Sequence, residues 1–292
     1  MIINKPQWIS SFDVVFRVKK IVKCKKIGHC GTLDPLATGV LPILIGKATK
    51  ILQFLPNTKK TYIASFKLGV TTDTQDITGS ILTKSKVLIN TMTCKNSLGE
   101  FIKESFQIPP MYSSIKKNGQ PLYKLARSGI EVYRAARPIF VDEINLLEFN
   151  EKKGTGRFFV TCSSGTYVRT ICHDLGQKLG CGAVMTDLIR TDSCGFSIKN
   201  SVDLEKIKES GREIGKILIK LDFPFRVYHK IIITKSQAFR FKCGGDLLVN
   251  RIDFKNGIES GQIFRVYDCD ENFIGLGKIS KQKQELAVLK AF

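Results

Sequence analysis

The chain has 292 residues, of which 43% are hydrophobic, 25% charged and 9% aromatic, an ordinary globular usage that excludes a disordered, collagen-like or coiled-coil protein. Its 46 Lys and Arg against 26 Asp and Glu leave a formal charge of +20, and a chain this basic expects a polyanionic partner. The charge is focused, with seven basic groups against Asp13 alone in residues 1–31 and six against Glu131 alone in residues 107–138, which favours a nucleic-acid footprint over an evenly solvated surface.

Met1-Ile2-Ile3 runs at once into Asn4 and Lys5, and no apolar run approaches the ~18–20 residues of a membrane span. A soluble, cytoplasmic protein with no membrane partner is the expectation. Ser10 or Ser11 is placed to cap a helix reaching about Cys24, because Phe12, Val15, Phe16, Val18 and Val22 recur at helical spacing. Its other face carries Lys19 and Lys20, available to phosphates. The run from Gly28 to Gly39 reads as an ordered loop. Within it Pro35 biases Asp34 toward an extended conformation, so the carboxylate is presented from a stiff turn.

Gly46-Lys47 lacks the other glycine and the hydroxyl residue of a phosphate-binding loop. From Thr61 to Leu68, Tyr62, Ala64, Phe66 and Leu68 alternate with mostly polar residues, as in a strand with one buried face. Asp73 and Asp76 read as turn formers rather than metal ligands. Residues 108–114 are irregular, Lys116-Lys117-Asn118-Gly119 signals a turn, and a short basic helix over Leu122 to Ser128 is closed by Gly129. Arg157 to Cys162 is β-like. After the turn at residues 163–166, a helix follows from Val168 to Gly180, with Tyr167 and Arg169 near its start. Beyond residue 225 short β-like runs appear at 230–234, 262–266, 273–279 and 285–289, in a segment carrying twelve basic and seven acidic residues. The nine cysteines are scattered singly, without a C-x-x-C pair and with three histidines. They read as buried small residues or free thiols in a reducing compartment, and no metal site is expected.

The run Gly28-His29-Cys30-Gly31-Thr32-Leu33-Asp34-Pro35-Leu36-Ala37-Thr38-Gly39 resembles the signature of the TruB family of tRNA pseudouridine-55 synthases. Further blocks match that family in order: Lys60-Thr61-Tyr62; Pro109-Pro110-Met111-Tyr112-Ser113; Gly165-Thr166-Tyr167-Val168-Arg169; and Leu188-Ile189-Arg190-Thr191. In the start block, Lys5-Pro6-Gln7-Trp8-Ile9-Ser10-Ser11, Trp8 stands where the family usually has glycine and Ser10 where it has threonine.

The resemblance implies an α+β fold. Its catalytic domain, residues 1–225, has a mixed, mainly antiparallel sheet and a basic RNA-clamping insertion over about 107–138. A small PUA-like β-rich RNA-binding domain spans residues 226–292. The implied activity is conversion of uridine 55 in the tRNA T-loop to pseudouridine by base flipping, without cofactor, metal, guide RNA or obligatory protein partner, by a monomer. An RNA-folding chaperone with dispensable catalysis is the alternative.

By the same resemblance Asp34 is the nucleophile, with Tyr62 and Arg169 as catalytic partners. Substrate-binding roles fall to His29, Tyr62, Tyr167 and Leu188, and RNA contacts to Lys5, Lys19, Lys20, Lys116, Lys117 and Arg127. Two of the roles that the resemblance implies are chemically apt: a guanidinium can hold a partly buried carboxylate in two-pronged contact, and an extruded base costs a few kcal/mol that a stacking side chain such as His29 can offset.

Overall fold

In the computed structural model, which describes residues 1–56, 58–209, 211–254 and 257–292, the alternation from Tyr62 onward becomes the strand Lys60–Leu68. Tyr62, Ala64, Phe66 and Leu68 are all buried on one face. Large apolar side chains so placed, such as Phe66 and Leu68, contribute about 1.5–3 kcal/mol each relative to exposure. The strand is central in a ten-stranded sheet. Along the main path the order is Val202–Asp203, Ile2–Lys5, Thr38–Ile45, Ala183–Ser193, Lys60–Leu68, Thr155–Cys162, Arg137–Asn150 and Lys103–Gln107. Pairing is antiparallel except between Ile2–Lys5 and Val202–Asp203 and between Thr38–Ile45 and Ala183–Ser193. This is the mixed, mainly antiparallel sheet expected.

The helix Val168–Lys178 buries Val168, Ile171, Cys172 and Leu175 in the same core as Phe66, Phe158, Val160 and Met185. A Cβ on Gly176 would stand 2.0 Å from the Ala183 nitrogen, so glycine is what allows helix and strand to touch.

The helix near the N-terminus runs Ser11–Val22. Ser10 is its cap, joined with Asp13 in a capping box, and Lys23 closes it in the left-handed conformation. Its buried side is Ser11, Val14, Val15 and Val18, whereas Phe12 and Phe16 face solvent. The apolar stripe read from the sequence is therefore rotated. The reason is Ser11, whose buried hydroxyl donates to the Leu33 carbonyl at 3.0 Å and accepts the Leu33 N–H at 2.8 Å, turning residues 11, 14, 15 and 18 inward.

The insertion forms a hairpin, Lys116–Lys117 against Gln120–Pro121, around Asn118 and Gly119 at φ 50° and 81°, the pair of positive values that a two-residue hairpin turn needs. The helix Leu122–Arg127 follows and ends at Gly129.

These elements belong to one compact unit, Ile2–Ile43 with Asn57–Arg212; the other comprises Met1, Leu44–Pro56 and Glu213–Phe292. The second unit holds a five-stranded sheet in the order His229–Ile232, Ile263–Tyr267, Phe273–Ile279, Glu285–Ala291, Leu247–Leu248. The helix Lys235–Lys242 adds Ala238 and Phe241 to a core of Ile231, Phe264, Val266 and Leu286. Four of these strands coincide with the β-like runs in the sequence.

Candidate active site

Asp34 lies in the loop between the strands Ile27–His29 and Thr38–Ile45, and the carbonyls of that segment are held from three sides. Ser11 takes Leu33. Arg190, fully buried, donates from Nε to the Val40 carbonyl at 2.7 Å and from Nη2 to the Gly31 carbonyl at 3.0 Å. Lys5 Nζ donates to the carbonyls of Pro6, Ile9 and Pro35 at 2.9, 2.8 and 3.2 Å. The Trp8 N–H adds a bond to the Pro35 carbonyl at 2.8 Å. At Gly39, φ is 99° and a Cβ would meet the Arg190 carbonyl at 2.2 Å, so only glycine closes the loop there. Buried cations paired with backbone carbonyls in this way fix the loop's shape before any ligand arrives.

The structure corrects the expectation for Lys5: instead of meeting RNA, its side chain is wholly buried with its ammonium on three carbonyls, so the charge ties the segment Pro6–Ile9 to the Asp34 loop at Pro35. Burial lowers its pKa to about 8, opposed by the nearby Asp34 carboxylate.

The Asp34 side chain keeps 32% of its surface exposed, against 5% for Arg169, whose Nη1 stands 3.4 Å from Asp34 Oδ2. The contact has one prong rather than the expected two, because Nη2 donates to the Tyr112 carbonyl. Nη1 also faces Asp76 Oδ2 at 3.7 Å. Asp76 is buried, and its Oδ1 accepts the Thr74 hydroxyl at 2.8 Å, the Thr78 N–H at 2.9 Å and the Thr78 hydroxyl at 2.6 Å. One guanidinium thus stands between a braced carboxylate and a free-edged one.

Around this axis, Tyr62 and Leu188 are buried in one cluster with Leu33 and Leu36. Burial pushes the Tyr62 hydroxyl up to about 12, with the Arg190 charge opposing, so the phenol is neutral across the physiological range. Tyr167 is half-buried at the N-cap of the helix carrying Arg169. Its N–H donates to Gln107 Oε1 at 2.8 Å, its carbonyl accepts from Gln107 Nε2 at 3.1 Å, and its ring lies 5.8 Å from the Arg169 guanidinium. Asp34, Tyr62, Tyr167, Arg169 and Leu188 therefore share one locality, each of the tyrosines feeling the Asp34 charge.

His29 lies at the end of its short strand, in the field of Arg190 and Lys60. Burial lowers its pKa, the two cations lower it further, and its Nδ1 has no partner among the described residues. It is a neutral, half-buried ring. Lys19, Lys20, Lys116, Lys117 and Arg127 are exposed. The Arg127 guanidinium lies 5.7 Å from the Tyr123 ring, and Lys117 Nζ donates to the Tyr133 carbonyl at 3.0 Å. A cleft of about 540 Å³ lined by Ser65, Glu148, Lys153 and Arg157 contains none of these site residues.

Three parts of the site go beyond the sequence expectations. Asp76 forms its turn through Oδ1, while Oδ2 faces Arg169. Arg190 stands in the family-like block Leu188-Ile189-Arg190-Thr191 but without a role there, and Gln107 has no signal at all, since a sequence displays a side chain's polarity and not its burial.

Comparisons with known proteins bear on this arrangement. The family described as "TruB family pseudouridylate synthase (N terminal domain)" matches residues 19–168, and "tRNA pseudouridylate synthase B C-terminal domain" matches residues 169–216. The chain is 45% identical over 283 residues to the tRNA pseudouridine synthase B of Clostridium tetani, covering 96% of this chain and 95% of that one. It is 43% identical over 280 residues to the enzyme of the same name from Clostridium novyi, covering 94% and 93%. Among solved structures, one described as "Structure of H/ACA RNP bound to a substrate RNA containing 2′-deoxyuridine" matches with TM-score 0.74 at 25% identity, over 100% of this chain and 84% of that chain.

Proposed function

Because the chain belongs to the TruB family of pseudouridylate synthases, we propose a reading of its site in which Asp34 is the nucleophile that opens uridine to isomerisation. The protein is an isomerase that converts uridine to pseudouridine in tRNA. The reaction breaks the bond from N1 to C1′, turns the base and joins C5 to C1′. The proton leaves C5 and N1 regains one, so atoms and electrons balance within a single substrate. The observation that carries the assignment of Asp34 is its setting: a carboxylate with one accessible edge, on a loop fixed by Arg190, Lys5 and Ser11, and faced by an arginine that Asp76 braces.

In this reading Arg169 aims the Asp34 carboxylate and screens it from Asp76. Tyr62, neutral because burial raises its pKa, supplies a ring and a hydroxyl beside the base while the C5 proton is lost. Tyr167 and Leu188 form the remaining aromatic and apolar walls of a pocket for an extruded base. His29, a neutral ring beside Arg190, is suited to stack in the space the base leaves. The uridine is that at position 55 of the T-loop, reached with Lys19, Lys20, Lys116, Lys117 and Arg127 on phosphates. Residues 226–292 act as a PUA-like RNA-binding domain, and the protein works as a monomer in the cytoplasm without guide RNA.

The test is incubation of the purified chain, with no added RNA other than an unmodified tRNA transcript tritiated at C5 of uridine. Tritium release, pseudouridine mapped to position 55, and loss of both in Asp34→Asn with tRNA affinity within a few-fold are expected. Substantial turnover by Asp34→Asn would assign the chemistry to another group, and pseudouridine at a different uridine would remove the T-loop assignment.

A further inference from the structure

Three large aromatic side chains stand in solvent on the segment that Trp8 and Ser11 bond to the Asp34 loop: Trp8 is 64% exposed, Phe12 73% and Phe16 49%. They follow one another at intervals of four, and on the helix Ser11–Val22 this spacing puts Phe12, Phe16 and Lys20 on one face. The Lys20 ammonium lies 4.5 Å from the Phe16 ring centre. The stripe is not packing material, because the same helix buries Ser11, Val14, Val15 and Val18 instead.

Trp8 is tied to the site on both sides. Its N–H bonds the Pro35 carbonyl, one residue beyond Asp34, and Gln7 beside it donates to Asp187 Oδ1 at 3.3 Å, one residue before Leu188. Its φ is 67°, a left-handed backbone that suits the glycine usual in the family and is strained for tryptophan. The fold holds this costly backbone through the Trp8 N–H bond to Pro35 and the Lys5 bonds to the Pro6 and Ile9 carbonyls, and by doing so keeps an exposed indole at the edge of the site.

The surroundings say what the occupant is. Arg17, Lys19, Lys20, Lys23, Lys25 and Lys26 lie on or just after the helix. The one acidic group of the stretch, Asp13, is engaged by the N–H and hydroxyl of Ser10. Aromatic faces interleaved with cations are the surface that unpaired nucleotides take, rings stacking on bases while ammonium groups meet phosphates.

We propose that Trp8, continued by Phe12 and Phe16, is a stacking platform for unpaired bases of the substrate tRNA immediately beside the nucleophile loop. This rests on the reading of the site given above and adds to it a specificity element that the family glycine lacks.

Trp8 is the chain's one tryptophan, so its fluorescence reports on this position alone. The full-length Asp34→Asn protein titrated with unmodified tRNA transcript should show Trp8 emission quenched to saturation, at the dissociation constant that filter binding gives in parallel. Trp8→Gly relieves the backbone strain, so a loss in that variant is not a loss of fold. It should raise KM for tRNA by about 5- to 150-fold with a much smaller change in kcat, the range of one base–aromatic stack, and Trp8→Phe should recover most of the loss.

Unquenched emission at saturating tRNA, or an unchanged KM in Trp8→Gly, would overturn the proposal. So would quenching that grows with protein concentration in the absence of RNA, which would put a second copy of the chain on the stripe. The two readings separate in the wild type. Pseudouridine formed with Trp8 left bright sinks the platform alone, whereas Trp8 quenched with no pseudouridine formed sinks the assigned chemistry and leaves the stacking surface standing.

Discussion

The loop around Asp34 and the insertion at residues 107–138 both draw on the chain's excess of positive charge and use it in opposite ways. In the loop the cations are inside: Arg190 and Lys5 are fully buried and spend their donors on backbone carbonyls. In the insertion Lys116, Lys117, Lys124 and Arg127 are exposed around a two-residue turn. The first arrangement fixes a shape, and the second leaves a field for a polyanion to find. The two regions meet at Arg169, which pairs with Asp34 while donating to the Tyr112 carbonyl at the base of the insertion. Tyr112 in turn donates its hydroxyl to Asp73 at 3.1 Å. In the function proposed above, any movement of the insertion on RNA would be felt at the carbonyl to which Arg169 donates.

The contrast breaks most severely at Arg190. Arg190→Ala removes a buried charge and leaves the Val40 and Gly31 carbonyls without donors, so we expect a stability loss of about 3–5 kcal/mol in denaturant unfolding together with loss of turnover. A variant that unfolds at the wild-type midpoint would mean that the loop is held by Ser11 and Lys5 alone.

Asp76→Asn tests the brace without emptying the core. The amide oxygen keeps Thr74 and Thr78 as partners, but the charge facing Arg169 is gone. We expect kcat to fall about 10- to 100-fold, the scale of an ångström-level misplacement at a reacting group, with the tRNA dissociation constant within about threefold. Single-turnover assays decide, and an unchanged kcat would reduce Asp76 to its turn.

On the other side of the comparison, alanine at Lys116, Lys117 and Arg127 together should leave single-turnover chemistry at saturating tRNA intact. It should flatten the slope of log Kd against log salt by about 2–3, as three lost phosphate contacts require. An unaltered slope would take the hairpin off the RNA.

The same division explains what the sequence disclosed. The strand Lys60–Leu68 and the helix Val168–Lys178 bury one face each, so their periods of two and of about 3.6 survive in the residue order. The Asp34 loop announces itself through glycines and Pro35. The strand Ala183–Ser193 does not, because bulges between Met185 and Asp187 and between Arg190 and Asp192 break its alternation. The helix Ser11–Val22 carries two apolar stripes, and only the Ser11 bonds to Leu33 decide which is buried. Lys5 and Lys116 are alike as letters; their opposite placements come from tertiary carbonyls that no local pattern encodes.

Lys5 offers the smallest and sharpest measurement. Its pKa falls from 10.5 when free to about 8 in the fold, chiefly through burial. Below pH 8 both folded and unfolded chains hold the proton, and the cost of burying the charge is borne in full. Between about 8 and 10.5 the unfolded chain binds more protons than the folded one, so stability rises with pH there, at no more than about 1.4 kcal/mol per pH unit from this one group. Other thiols and amines titrate in the same window, so the measurement is a difference. Unfolding free energies of the wild type and Lys5→Met, taken from pH 7 to 10.5, should diverge, with the wild type gaining more as pH rises. Parallel curves would mean that the ammonium is as well solvated in the fold as in water, and that the Pro35 carbonyl, and with it the Asp34 turn, is held by the Trp8 N–H instead.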